Sequence, residues 1–336
     1  MSETLLEKWF EENKRDFPWR KNRTPYRVWI SEVMLQQTRA SVVIPYFQRF
    51  MELFPDVKAL YSAPLEQVIK AWEGLGYYSR ARNLHRAAKE LVERFGGEIP
   101  TSENELLSIH GFGPYTVGAI RSFAFQQRAP AVDGNVMRVV SRFFCIEEDI
   151  QKSTTRKKIH EKTEVLLDPK IPWVTAEALI ELGATICTPK PRCEVCPLKN
   201  ACLARQKNRA EYLPIKTKEQ RISQIDRLVF VFESDGYILV RKGEKGKIMA
   251  DLYEFPYIQI HNSLEYFLNE ADNLLIKLQP CNHTFTKYKA NLFPYLIKTC
   301  RFESRYDWIE ISRLRELPFS SGHRKILTEL GKLYNI

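Results

Sequence analysis

Four of the chain's seven cysteines, Cys187, Cys193, Cys196 and Cys202, fall within sixteen residues. A quartet that dense can close around one metal centre. The spacing is C-x5-C-x2-C-x5-C. Soft thiolates select zinc or an iron–sulfur cluster. Zinc sites usually pair two C-x2-C knuckles across a longer loop. One C-x2-C pair with an outlying cysteine on each side suits a cubane cluster better, with zinc as the alternative. Pro189, Pro191 and Pro197 make the stretch a ligand loop and not a helix face. Cys145, Cys281 and Cys300 lack such spacing and read as ordinary core thiols.

A second stretch with chemical potential is Ile109-His110-Gly111-Phe112-Gly113-Pro114-Tyr115-Thr116. A helix pattern ends at His110 and a new one starts near Tyr115. Glycines permit a tight turn, and Pro114 suits a first helical turn. The free amides around Gly111, Gly113 and Thr116 form a phosphate seat in a helix-hairpin-helix. On its own, the stretch reads first as a plain helical hairpin with glycines for packing. Two carboxylates complete the inventory. Glu32 sits in a helix pattern among Ile30, Val33 and Met34. Asp133 precedes another helix, where a cap is the plain reading for it and for Asn135.

The elements that must position these groups change character once along the chain. Helical spacing marks residues 4–14, 26–40, 41–53, 64–73, 79–95, 102–109, 153–167 and 173–186. Turns at Phe54-Pro55-Asp56, Gly74-Leu75-Gly76 and Gly96-Gly97 separate them. The polar, basic run 203–223 reads as a linker. Beyond 224 the period becomes strand-like. Leu228–Phe232 and Tyr237–Val240 flank Ser234-Asp235-Gly236 as a hairpin. Phe255–Ile260 and Leu292–Ile297 add strands, and 263–277 and 321–334 look helical. With 336 residues and 44% hydrophobic content, two cored domains are expected. A net charge of +10 favours an anionic partner such as nucleic acid. No apolar run reaches membrane-span length. The amphipathic, charged N-terminus is not a signal peptide, so a soluble, cytoplasmic protein is expected.

Several stretches together carry a family resemblance. They are Trp29-Ile30-Ser31-Glu32-Val33-Met34-Leu35-Gln36-Gln37-Thr38, Gly74-Leu75-Gly76-Tyr77-Tyr78, Gly111–Thr116, Val132-Asp133-Gly134-Asn135-Val136 and the cysteine loop. The chain resembles the bacterial adenine DNA glycosylases of the MutY type, in the helix-hairpin-helix glycosylase superfamily. The likeness is strong over about residues 4–205 and weaker beyond.

That resemblance implies excision of adenine mispaired with 8-oxoguanine or guanine in double-stranded DNA, after flipping the base out of the stack. Glu32 matches the acid that protonates the departing base, and Asp133 the carboxylate that stabilises the sugar cation, as in glycoside hydrolysis. Tyr115 and Asn135 match residues that position this pair. Trp19, Arg20, Leu35 and Glu177 match the adenine pocket. Gln37 and Tyr77 match residues that wedge beside the mispair. The related endonuclease III type has a Schiff-base lysine where Tyr115 stands, and a phenol cannot form that adduct. A monofunctional enzyme is therefore implied. The rivals are a glycosylase/lyase and a non-catalytic mismatch binder.

The family's cysteine loop holds a [4Fe–4S] cluster and shapes a basic surface, here with Lys190, Arg192 and Lys199. The family usually has six residues between the first two cysteines, and this chain has five. The expected architecture is mainly α. A two-lobed helix-hairpin-helix region (1–205, cluster loop 187–202) is followed by a linker (206–223) and a Nudix-like α+β domain (224–336). The N-terminal helix should pack with residues beyond 130. The acidic box of Nudix hydrolases is absent between Arg241 and Tyr253, so this last domain should read 8-oxoguanine without hydrolysis. The family's Phe-Ser-His recognition loop matches Phe285-Thr286-Lys287, leaving Thr286 and Lys287 as candidate DNA contacts. A monomer is expected.

Overall fold

The computed structural model describes residues 5–217, 222–244, 246, 249–260, 275–285 and 288–334. The chain divides into two compact units. Met1–Tyr61 and Arg86–Glu219 form the first, and Ser62–His85 joins Gln220–Ile336 in the second. The sequence reading had left Ser62–His85 within the helical region.

The first unit is helical. Several of its helices start where the chain supplies caps or prolines. Pro25–Leu35 begins at Pro25 behind Thr24, whose hydroxyl accepts from the Arg27 amide at 3.2 Å. It ends at Gln36, and Gln37 then turns with φ 57°. One core joins the N-terminal helix Leu5–Asn13 to the helices Gly134–Phe143 and Pro172–Thr185. Leu6 and Phe10 pack there with Val136, Val139, Val140, Leu179 and Leu182. The expected discontinuity in sequence is therefore present. Buried Glu7 fastens the same contact by accepting the Thr175 hydroxyl. Aromatic packing fixes the Pro25–Leu35 helix. Trp29 lies 5.1 Å from Phe112 between ring centroids, and the Tyr26 hydroxyl donates to the Phe54 carbonyl at 2.7 Å. Helix Pro114–Ala119 runs into a π-helical turn at Ile120–Ala124.

The second unit is built on a mixed sheet. Among the described residues its strands are β1 (Ser223–Ser234), β2 (Tyr237–Lys242), β3 (Tyr253–Glu254), β4 (Tyr257–Ile260), β5 (Ile276–Lys277), β6 (Cys281–Phe285), β7 (Tyr288–Lys298) and β8 (Asp307–Glu310). The order is β3-β2-β1-β7-β5, with β4 on β1, β6 on β7 and β8 on β2. β1 and β7 run parallel over eleven paired positions, from Ser223↔Tyr288 to Glu233↔Lys298. The β1–β2 hairpin turns at Asp235 and Gly236, both at positive φ, as a tight two-residue turn requires. Helix Ser321–Tyr334 lays Ile326, Leu327 and Leu330 on Val229, Val231, Leu292 and Leu296. Glu73 belongs to this unit and receives Arg324 Nε at 2.6 Å and the Phe319 amide at 3.0 Å.

One expectation is corrected. Ile276–Lys277 is a strand paired with Leu296 and Tyr295, not the end of a helix. Cross-strand pairing overrode its helix-compatible spacing. The rest of that expected helix, and the candidates Thr286 and Lys287, lie outside the described residues. Among the described residues no helix is long and apolar enough to cross a membrane.

Candidate active site

A cleft of about 880 Å³ in the first unit brings together Glu32, Tyr115, Asp133 and Asn135. Glu32 comes from the Pro25–Leu35 helix and is 7% exposed. Tyr115, in the first turn after the glycine hairpin, donates its hydroxyl to Glu32 Oε2. Burial pushes the Glu32 carboxyl up to about 7. The Tyr115 bond opposes that rise, Asp133 and Glu177 add to it, and Arg20 opposes it. Burial also holds the Tyr115 phenol well above its usual range, so it stays a neutral donor. At neutral pH Glu32 therefore carries a proton about half of the time.

Asp133 caps the Gly134–Phe143 helix, so the plain reading of this residue holds. Its Oδ1 accepts the Asn135 and Val136 amides at 2.9 and 2.8 Å, and its Oδ2 accepts Asn135 Nδ2 at 2.7 Å. Burial raises its proton affinity, and those bonds and Arg138 pull it back. Capping and chemistry are compatible here, because the same bonds fix the carboxylate where it lines the cleft. Asn135 Oδ1 in turn accepts Arg138 Nη2 at 2.8 Å. Arg138 also donates to the Gly183 and Cys187 carbonyls, both at 2.7 Å. A hydrogen-bonded path thus runs from Asp133 to the first cysteine of the loop. Gly183 makes it fit, since a Cβ there would stand 2.6 Å from the Asn135 Cβ.

The four residues expected to line a base pocket, Trp19, Arg20, Leu35 and Glu177, all line this cleft, and so does Gln37. Trp19 is buried, with Phe17 stacked on it at 4.7 Å. Glu177 takes Arg23 at 2.9 Å. Tyr77 falls in the second unit, 45% exposed and at φ 49°. In the hairpin, Gly111 adopts φ 82° and Gly113 precedes the helix as its cap. Thr116 is 1% exposed, so its side chain faces the core and not solvent. Sequence reading missed Arg15, Arg39 and Glu181, which also line the cleft. Only the spacing of Glu181 four residues after Glu177, on the same helix face, could have flagged it.

Cys187, Cys193, Cys196 and Cys202 line one small cavity of about 30 Å³. Burial pushes the Cys196 thiol up to about 11 and raises Cys193 and Cys202 as well, with neighbouring cysteines adding to each. Thiolates crowded into such a place need a cationic centre to stay ionised. Buried Arg142 fixes the loop. It donates to the Cys187 sulfur at 3.3 Å and to the carbonyls of Thr188, Pro189 and Leu213 at 2.6, 3.1 and 2.9 Å. The loop with five intervening residues still brings all four cysteines to the lining of one cavity. Among the described residues no group of three His, Cys, Asp or Glu side chains is arranged to hold a single metal ion.

Comparison with known proteins agrees with this geometry. Residues 30–165 match the profile of the HhH-GPD superfamily base excision DNA repair proteins, and residues 228–329 that of the NUDIX domain. The adenine DNA glycosylase of Buchnera aphidicola subsp. Schizaphis graminum (strain Sg) is 31% identical over 340 residues, covering 96% of each chain. The adenine DNA glycosylase of Rattus norvegicus is 44% identical over 209 residues, 59% of this chain and 40% of that one. Among solved structures, a thermostable thymine-DNA glycosylase matches with a TM-score of 0.55 and 28% identity, over 60% of this chain and 94% of its own. An endonuclease III trapped as a DNA covalent intermediate matches with a TM-score of 0.52 at 24% identity, over 60% and 93%, which speaks for the shared fold.

Proposed function

The chain belongs to the adenine DNA glycosylases of base excision repair, hydrolases of N-glycosyl bonds, and we propose that it removes adenine mispaired with 8-oxoguanine or guanine without cleaving the strand. The observation that carries the reading is the pairing within one cleft of a carboxyl whose pKa burial raises to about 7, Glu32, with a carboxylate held by three hydrogen bonds, Asp133.

The chemistry follows from those two environments. The flipped adenine enters the cleft beside Trp19, Arg20, Leu35 and Glu177. Glu32 gives its proton to a ring nitrogen as the glycosidic bond breaks and the bond's electron pair leaves with the base. Tyr115 holds the acid in place and then donates to the carboxylate left behind. The sugar becomes cation-like, and Asp133 stabilises it through its field or by transient addition. Water adds to the sugar carbon and gives its proton to the Glu32 carboxylate, which restores the acid, and an abasic site remains. Tyr115 carries no amine, so no Schiff base forms and the backbone stays intact.

The family carries an iron–sulfur cluster, and Cys187, Cys193, Cys196 and Cys202 would hold it here as [4Fe–4S]. Bound, it would supply structure to a basic surface that meets phosphates. Gly111 and Gly113 would seat the backbone on the hairpin amides, and Gln37 and Tyr77 would fill the gap beside the mispair. The Nudix-like unit would read 8-oxoguanine through Phe285-Thr286-Lys287. We take the protein to act as a monomer in the cytoplasm. The test is base release from duplexes with adenine opposite 8-oxoguanine, guanine or thymine, each split into alkali-treated and untreated halves. Release opposite 8-oxoguanine and guanine, with breaks only after alkali, is expected. Breaks without alkali, or borohydride trapping, would favour a lyase.

A further inference from the structure

One buried acid in the cleft has no part in this chemistry. Glu181, on the Pro172–Thr185 helix, is 0% exposed and lines the cleft. Its two oxygens are taken by two different arginines, Arg15 Nε on Oε1 and Arg20 Nη2 on Oε2, the latter at 2.9 Å. Arg20 also donates from Nη1 to the Arg15 carbonyl at 2.7 Å. Both guanidinium carbons lie over the Phe17 ring, 4.9 and 5.1 Å from its centroid, and Phe17 is stacked on Trp19. Glu181 is thus the acid that ties the whole Arg15–Arg20 wall of the cleft to the helix. A surface ion pair contributes little, but a carboxylate removed from water and gripped by two guanidiniums is strongly coupled to both.

Arg20 is also the cation whose charge reaches Glu32. The groups acting on Glu32 are Tyr115 from the hairpin helix, Asp133 from the cap of Gly134–Phe143, Glu177 from Pro172–Thr185 and Arg20 from Pro18–Lys21. Of their charges, only that of Arg20 favours the ionised form of Glu32. We propose that Glu181 is a positioning residue that holds Arg15 and Arg20 as one wall of the base pocket and offsets part of the Arg20 charge where it faces the catalytic acid. The inference rests on Glu32 acting as that acid.

Two substitutions of opposite sign test it. Glu181→Gln keeps the shape and one acceptor but removes the counter-charge. Arg20 then pulls Glu32 towards ionisation, and the alkaline fall in single-turnover adenine release moves to lower pH. A displacement of about half to one pH unit gives a roughly two- to fivefold loss of rate at the wild-type midpoint and little loss on the acidic plateau. Arg20→Gln removes the cation itself and should move the same fall to higher pH, whatever it does to substrate affinity. A merely structural anchor would lower the rate equally at all pH values, in step with thermal stability, and leave both midpoints alone. That result overturns the proposal, as does a shift of the same sign in the two variants. If Glu181→Gln does not fold, the direction of the Arg20→Gln shift decides. A wild-type enzyme without an alkaline fall would instead sink the assignment of Glu32, a distinguishable failure.

Discussion

Replacing Glu32 with glutamine should make the protein inactive and, at alkaline pH, more stable. The carboxyl is buried, and its pKa in the folded chain rises from 4.5 to about 7. A group whose folded-state pKa lies above its unfolded one contributes its full stability below the unfolded value. That contribution is lost as pH rises through the folded value. Ionising Glu32 inside the cleft therefore costs on the order of 3 kcal/mol, at 1.36 kcal/mol per pH unit. Glutamine keeps an acceptor for the Tyr115 hydroxyl and has nothing to ionise. At about pH 3.5 the two proteins should melt together, because Glu32 is then neutral in the folded and the unfolded chain alike. At about pH 8.5 the variant should melt higher, by roughly 5 °C or more at ~2–4 °C per kcal/mol. The assay is thermal unfolding at the two pH values with cluster content matched. Equal melting temperatures at both would mean that Glu32 is not held protonated, and the acid role would lose its physical basis.

Three further perturbations probe the rest of the site. Asp133→Asn keeps a good helix cap, so stability should change by no more than about 1 kcal/mol while single-turnover release falls by orders of magnitude. Gly183→Ala puts a methyl within 2.6 Å of the Asn135 Cβ. It should displace the Asp133–Asn135–Arg138 path and cut the rate at least tenfold with duplex affinity retained, read by paired kinetics and gel shifts. Arg142→Lys loses most of the fork of bonds to Cys187 Sγ, Thr188, Pro189 and Leu213. It should lower iron content and visible absorbance per chain, and an unchanged iron content would show that the loop does not depend on this anchor.

Much of this site was written locally and could be read locally. Helix starts at Pro25 and Pro114, the cap at Asp133, the glycine turn before Tyr115 and the cysteine spacing each obey short-range rules, so their residues fell where expected. Glu32 among Ile30, Val33 and Met34 points to burial only weakly, and the family motif is what singles it out. What local rules could not show was pairing across the chain. Glu181 meets Arg15 and Arg20 from more than 160 residues away, and a charged residue on a helix gives no sign of which face it will occupy. Arg142 and Arg138 carry no local sign of their role, and both are spent on carbonyls around the cysteine loop. Ile276–Lys277 shows the converse, a segment with helix-compatible spacing drawn into the sheet by β7. Ser62–His85 has the same helical spacing as its neighbours, and its packing, Glu73 with Arg324 and the Phe319 amide among other contacts, shows which unit it joins.

The most direct measurement is the pH dependence of single-turnover adenine release from a duplex with adenine opposite 8-oxoguanine. The account predicts a rate that holds up to about pH 7 and then falls roughly tenfold per pH unit as Glu32 loses its proton. It should fall again at low pH as Asp133 gains one. A rate that stays level or climbs well above neutrality would contradict the central claim that Glu32 delivers the proton that frees the base.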